Sequence, residues 1–419
     1  MKILVIGGGG REHAIVRKLL ESPRVSKLYC APGNGGISKD AECVPISAMD
    51  IPGVVKFAKE NEIDLVFVAP DDPLAAGMVD ELQKAGIRAF GPTAKAAEIE
   101  SSKVFSKNLM KKYHIPTAAY EVFDDPSKVL NYIASRNTYP TVIKADGLAL
   151  GKGVIIAENY EEAQDAVKTI MEDKKFGASG NRVVVEEFLT GPEVSVLAFT
   201  DGKCVKPMVS SKDHKRALDG NRGLNTGGMG TISPNPFYTP EIAEECMKTI
   251  FLPTIHAMNQ EGRPFKGCLY FGLMLTKDGP KVIEYNSRFG DPETQVVLPR
   301  LKTDLVDILE AVIDERLEQQ DIEWSDEACA CVVMASGGYP EAYKKGIEIH
   351  GLNADGQVDG VTVFHAGTVW KDGKFYTNGG RVLGVTALGK TLDEALARAY
   401  SGVDKIHFDG AHYRHDIGK

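Results

Sequence analysis

The chain has 419 residues, 43% hydrophobic and 26% charged, ordinary proportions for a globular protein with room for about two to four domains. A formal charge of −9 argues against nucleic acid as the main partner, since that asks for a basic face. Seven scattered cysteines, odd in number and without zinc-ligand spacing, read as reduced thiols of a cytoplasmic protein rather than as a disulfide framework. No stretch reaches the length of a signal peptide's apolar region or of a membrane span, so no membrane partner is expected.

Residues 1–100 alternate short apolar runs with amphipathic stretches. Lys2–Ile6, Lys27–Ala31, Asp64–Ala69 and Ile87–Phe90 read as strands, with helical patterns near Arg11–Glu21, Asp50–Asn61 and Leu74–Ala85. This is the rhythm of a doubly wound parallel sheet. Between the first strand and helix lies "IGGGGREHA" (Ile6–Ala14). Glycines there can offer bare N–H groups and a helix N-terminus to a phosphate, or can simply allow a tight turn. The dinucleotide fingerprint GxGxxG fails, because Glu12 and His13 stand where the third glycine is needed.

"SSKVFSKNLMKKYHIPTAAYEVF" (Ser101–Phe123) reads as a capped helix ending before Pro116 and then a strand. "KADGLALGKGV" (Lys144–Val154) is not a P-loop, since three residues rather than four separate Gly147 from Gly151 and Gly153 follows Lys152. It reads as a flap between antiparallel strands able to fold its amides over phosphates, or as a plain glycine-rich hairpin. A helix near Tyr160–Met171 precedes strands Arg182–Leu189 and Glu193–Thr200. The backbone where the first of these strands exits could read an adenine edge, with Glu193 near the ribose; ordinary edge-strand acids are the competing reading.

Residues 207–240 read as a long polar loop, and loops of that length are usually functional or disordered. Its "KDHKR" (Lys212–Arg216) and "NTGGMG" (Asn225–Gly230) would suit closure over an anionic substrate. After a helix near Pro240–Gln260 come strands Cys268–Thr276 and Lys281–Asn286. On the second, strict alternation puts Glu284, Asn286 and the following Arg288 on one face and Ile283 with Tyr285 on the other. A carboxylate, an amide oxygen and a guanidinium so placed could hold a hard cation against phosphate; a solvated strand face is the bland alternative. From Cys329 onward the chain reads as a small separate β-rich unit with two helices.

Taken together, "ILVIGGGGREHA", "APGNGG", "VIKADGLALGKGV", "KDHKR", "NTGGMG", "EYNSRFGDPETQ", "VFHAGT", "NGGRVLGVTALG" and "YRHDIG" resemble the ATP-grasp ligases, and among them the glycinamide ribonucleotide synthetase (phosphoribosylamine–glycine ligase) family. The resemblance spans nearly the full length in the family's order. It implies a mixed α/β and α+β multidomain protein: an N-terminal α/β domain (1–100), an ATP-grasp core (101–118 and 190–322), an inserted lid (119–189) and a C-terminal β-rich domain (323–419). It further implies that Lys103 and Lys144 contact ATP phosphates under a flap containing Gly147, Gly151, Lys152 and Gly153. Glu186, Glu187, Phe188 and Leu189 would hold adenine, and Glu193 ribose. Glu284 and Asn286 would bind Mg²⁺, with Mn²⁺ as an alternative, and Arg288 with Lys144 would be catalytic.

Gly8, Gly9, Gly10 and Arg11 would seat the ribose-5-phosphate end. Asp213, Lys215, Arg216, Asn225, Thr226, Gly227, Gly228, Met229 and Arg288 would line the amino-acid and amine site. The reaction implied is ATP-dependent joining of glycine to 5-phosphoribosylamine through glycyl phosphate, by a cytoplasmic monomer acting on small molecules alone. Three departures stand out: Asp71-Asp72 where the family reads Glu after Gly-Pro, Leu224 where proline is usual, and no acid on "CLYFGLMLT". The rival readings are another ATP-grasp ligase, a nicotinamide-dependent dehydrogenase, and a non-catalytic nucleotide sensor.

Overall fold

The computed structural model describes residues 1–149 and 152–419. Near the N-terminus five parallel strands pair in the order Glu42–Cys43, Lys27–Pro32, Lys2–Gly7, Leu65–Val68 and Ala89–Phe90. Parallel strands are covered on both faces, and alternation divides their side chains between two cores. Ile3, Val5, Leu65 and Phe67 face one core, whereas Leu4, Ile6, Val66 and Val68 face the other. The first core continues through Leu197, Tyr270, Phe289 and Cys331, so this sheet and the rest of the molecule share buried apolar surface. The expected helix over Leu74–Ala85 is broken at Gly77 (φ +90°) into Asp71–Ala75 and Met78–Lys84. Similarly, Ser102 separates helices Ala94–Ser101 and Lys103–Lys112 by capping the second: its Oγ accepts from Phe105 N at 3.1 Å.

A four-stranded sheet in the order Val205–Pro207, Glu193–Asp201, Lys266–Thr276, Gly279–Asn286 forms the centre. A second antiparallel sheet, Tyr120–Phe123, Val183–Glu187, Thr141–Ala145, Val154–Ala157, carries its own small core around Ile133, Ile143, Ile170 and Val185. The protein is thus a mixed α/β multidomain molecule. No helix among the described residues is long and apolar enough to cross a membrane.

Two expectations fail here. Residues 207–240 are not an open loop: they contain strands Lys212–Asp213, Arg216–Leu218, Arg222–Asn225 and Gly230–Ser233. These strands are short and polar, so they lack the apolar alternation by which strands are recognised. Two of them extend the C-terminal sheet, whose order is Lys212–Asp213, Gly230–Ser233, Ala328–Ala335, Arg381–Gly389, Thr362–His365. The C-terminal unit thus shares its sheet with residues 212–233, and among the described residues it has one α-helix, Leu392–Val403, rather than two. It also docks on the first helix of the chain. His365 N donates to His13 Nδ1 (2.7 Å), which leaves His13 Nε2 to donate to Asp40 Oδ2 (2.8 Å).

The glycine run after the first strand is constrained by packing. A Cβ on Gly8 would lie 2.4 Å from Gly33 O, and one on Gly10 2.6 Å from Gln295 Nε2. The first of these neighbours is backbone and cannot swing away. Gly8→Ala is therefore expected to lose about 1–3 kcal/mol of stability, read as a shift of the urea midpoint at unchanged slope.

Candidate active site

The strand Gly279–Asn286 buries Val282 and Tyr285 in the core of the central sheet. Those two positions are three apart, not two, because the register steps from Gly272↔Glu284 to Leu273↔Val282. Ile283 is the extra residue of a β-bulge. The expected placement of Ile283 beside Tyr285 is thus corrected: Ile283 and Glu284 line one narrow cleft together with Glu193, Asp213, Lys215 and Tyr270. Past the strand the chain turns, and Glu100 accepts from both Ser287 N and Ser287 Oγ at 2.8 Å. Glu100 also pairs with Arg288 Nη2 at 2.9 Å, and the same nitrogen lies 3.3 Å from Asn286 Oδ1. Asn286 and Arg288 meet through the turn, while Glu284, two residues before Asn286 on the regular part of the strand, lies within reach of the Arg288 charge.

Glu284 is the focus of the field. Burial pushes its carboxyl up, yet Lys215, Lys144, Lys103 and Arg288 together outweigh burial and hold it below the ordinary value. Lys215 Nζ lies 3.6 Å from Glu284 Oε1 and 3.9 Å from Glu193 Oε2, and Glu284 drives the Lys215 ammonium well above its usual range. The Glu284 side chain keeps 35% of its surface exposed, so an incoming ion can reach it. Among the described residues no group of three or more His, Cys, Asp or Glu forms a ready metal cage. Glu284 and Asn286 offer two oxygens, so a hard cation held here would complete its shell from phosphate and water.

Behind this cation cluster lies a buried ion network. Glu186 sits between Lys144 Nζ (3.0 Å) and Lys107 Nζ (3.2 Å), and Lys144 also donates to Ile283 O (3.2 Å). Lys103 donates to Gly147 O (2.9 Å), closing the base of the flap. Asp146 at that base accepts from Ser102 Oγ, Val104 N and Arg182 Nη2. Gly147 has φ +114°, a region only glycine adopts cheaply. Lys152 is exposed, Gly153 packs against Ala149, and Gly151 falls outside the described residues. Glu187 and Phe188 are exposed at the exit of the strand and Leu189 is half-buried. Buried polar atoms without partners are costly. Arg288 Nε is one of the buried polar atoms without a hydrogen-bond partner among the described residues.

The segment after residue 212 is less uniform than expected. Asp213 lies beside Glu293, and both carboxyls are pushed up, by burial first. Tyr270 OH donates to Glu293 Oε1 (3.0 Å) and pairs with Ser195 Oγ (2.8 Å). A Cβ on Gly228 would lie 2.6 Å from Asp213 Oδ1, so this turn needs glycine. Thr226 Oγ1 donates to Lys215 O (2.8 Å) and accepts from Gly228 N (2.9 Å). Arg216 instead turns into its own hairpin and donates to Gly223 O (2.9 Å), across from its strand partner Asn225. Met229 is fully buried, so its side chain supports the loop and presents nothing to a ligand.

A cavity of about 680 Å³ opens beside the N-terminal glycines, lined by Gly7, Gly8, Gly9, Arg11, Ser47 and Asp291. Gly9 N donates to Glu12 Oε2 (2.9 Å) and Arg11 Nη1 to Phe289 O (3.2 Å), while Gly10 packs away from the cavity against Gln295. Sequence reasoning missed Glu100, Lys107, Asp291 and Arg381 as site-building residues. Arg381 donates to Gly227 O and Asp291 O, both at 2.9 Å. Only the acids in "FGDPETQ" carried a visible signal; the others are single charges on otherwise regular elements.

With this geometry in place, the chain can be set beside known proteins. Residues 1–100, 101–294 and 329–419 match the N domain, the ATP-grasp (A) domain and the C domain of phosphoribosylglycinamide synthetase. A phosphoribosylamine–glycine ligase of Caldanaerobacter subterraneus subsp. tengcongensis is 50% identical over 417 residues, covering 100% of this chain and 99% of that protein. The trifunctional purine biosynthetic protein adenosine-3 of Gallus gallus is 51% identical over 420 residues, covering 100% of this chain and 42% of that protein. The crystal structure of the Thermotoga maritima phosphoribosylamine–glycine ligase superposes with TM-score 0.87 at 33% identity, each chain covered fully. A Campylobacter jejuni biotin carboxylase, at TM-score 0.74 and 15% identity over 98% of this chain and 92% of that one, shares the fold alone.

The buried network has a pH signature. Burial, opposed by Glu186, lowers the Lys107 ammonium to about 8. Its unfolded form keeps the ordinary value near 10.4, so between these limits the unfolded chain binds more protons and folding strengthens as pH rises. Compared with Lys107→Met, the wild type should therefore gain on the order of 2–3 kcal/mol between pH 8 and 10.5, measured by chemical denaturation across that range.

Proposed function

The chain belongs to the phosphoribosylglycinamide synthetase family, and on that footing we propose that it joins glycine to 5-phosphoribosylamine, converting ATP to ADP and phosphate. The observation that carries this reading is Glu284, held ionised among Lys103, Lys144, Lys215 and Arg288 beside a glycine flap. A carboxylate is a poor electrophile, so glycine's oxygen first attacks the γ-phosphorus and ADP leaves. The amine then attacks the carbonyl of the glycyl phosphate, phosphate departs and an amide remains. No protein nucleophile takes part.

The chain's own groups supply position and charge. Lys103 and Lys144 would hold the phosphates, and the fork of Arg288, kept charged by Glu100 despite burial, would meet the transferring phosphoryl oxygens. Glu186, held between Lys144 and Lys107, would stand at adenine's amino edge, with Glu187, Phe188 and Leu189 along the base and Glu193 near the ribose. Glu284 and Asn286 would hold Mg²⁺, or Mn²⁺, which would supply positive charge to offset that of the phosphates. Gly8, Gly9 and Arg11 would seat the ribose phosphate in the large cavity. Asp213, Lys215 and the Asn225–Gly228 turn would hold glycine and the amine. Closure of the lid (119–189) over the core (101–118 and 190–322) excludes water from the acyl phosphate. We place the reaction in the cytoplasm, with the monomer as the acting form.

Following ADP release with glycine and freshly made phosphoribosylamine, omitting each in turn, tests the reading. Steady release should need both, and release sustained without glycine would overturn it. Arg288→Lys should lower kcat by about 10²–10³ while the KM for ATP stays within a fewfold; equal losses in both would remove the role given to the fork.

A further inference from the structure

The strand pair Arg216–Leu218 and Arg222–Asn225 forms a sheet of two strands joined to no third among the described residues. Such a hairpin is marginal in water, and this one exposes Leu218 (47%) and Leu224 (51%), so it has no core of its own. Yet it continues directly from Asp213 and Lys215, whose positions against Glu284 and Glu193 define the narrow cleft. Something outside the hairpin must fix it.

The segment His412–Gly418 meets it along its length. His412 Nε2 donates to Ala217 O (2.7 Å), and Arg414 Nη1 donates to Arg216 O (3.2 Å). Arg414 is 1% exposed; its Nε and Nη2 form a fork onto Asp416 Oδ1 (2.8 Å) and Oδ2 (2.9 Å). Asp416 Oδ2 also accepts from Gly220 N (2.8 Å) at the hairpin turn, and Asp219 Oδ1 accepts from His415 N (2.8 Å). Gly418 N donates to His214 Nε2 (3.0 Å). That nitrogen must therefore be unprotonated, and Nδ1 carries the hydrogen it gives to Gly230 O (2.9 Å). His214 lies between Asp213 and Lys215, so alternation turns its ring away from the cleft while its two neighbours face inward.

We propose that His412–Gly418 is a clamp for the amino-acid side of the active site, with Arg414 and Asp416 as positioning residues that hold Asp213 and Lys215 in register with Glu284. Neither residue touches the reacting atoms; they act through the hairpin. This rests on the ligase reading and adds to it a role for "YRHDIG", a stretch to which the chemistry itself assigns nothing.

The test is Asp416→Ala, which removes the fork's acceptor and the partner of Gly220 together. The KM for glycine should rise about tenfold while the KM for ATP stays within twofold and kcat falls less than threefold. Trypsin should also cut the folded variant within residues 215–222 at least fivefold faster than wild type. A variant with unchanged glycine KM and unchanged cleavage, differing only in Tm or active fraction, would overturn the clamp. If Asp416→Ala does not fold, Asp416→Asn keeps the size and one acceptor; the same split should appear at smaller amplitude, and wild-type values throughout would overturn the proposal. Wild-type protein that consumes no ATP with glycine would sink the ligase reading instead, and the cleavage rates would still decide the clamp.

Discussion

Several cationic groups crowd one cleft, and the structure depends on how their repulsion is contained. The carboxylates that restrain them stand mostly behind them. Glu100 pairs with Arg288, and Glu186 with Lys144 and Lys107. Backbone oxygens take more of the donors: Gly147 O for Lys103 and Ile283 O for Lys144. Glu284 alone is held low by four of these cations at once, against its own burial. The side of the cleft around Glu284 is therefore positive, with that one partly exposed acid among the cations.

That arrangement explains why parts far apart in the chain are packed so closely. Glu100 comes from the helix Ala94–Ser101, Lys144 and Glu186 from the small antiparallel sheet, and Glu284 from the central one. Lys215 lies just beyond a strand of the C-terminal sheet. A shared core running from the N-terminal sheet to Phe289 and Cys331 makes their relative positions a matter of packing, which transmits small errors poorly tolerated by a charged site. The C-terminal region closes the same cleft from behind, through Arg381 on the Gly227–Gly228 turn and Arg414 on the hairpin.

Much of this was legible in the residues. The parallel sheet announced itself through buried apolar runs at regular spacing, and the flap and the Glu284–Asn286–Arg288 stretch through chemistry on a strand. What failed, failed for local physical reasons. The bulge at Ile283 carries no compositional mark, so alternation misplaced that side chain while leaving Glu284 and Asn286 where expected. Residues 207–240 hide their strands because hydrogen bonds, to the C-terminal sheet for two of them and within a hairpin for the other two, hold them extended without apolar patterning. Arg216 and Met229 share their stretch with true cleft residues, and only the fold turns one into the hairpin and buries the other. Lys107 and Glu100 look like surface charges on helices until their partners, tens of residues away, are in place.

The most direct measurement of the central claim is calorimetric titration of ATP into wild type and Glu284→Gln, each with and without Mg²⁺. If Glu284 is the acid that couples a metal to surrounding cations, the wild type should bind the metal complex far more tightly than free ATP. Removing the negative charge should then strengthen binding of metal-free ATP and abolish most of the dependence on Mg²⁺. A Glu284→Gln protein that binds free ATP more weakly, or keeps the full effect of Mg²⁺, would contradict the account.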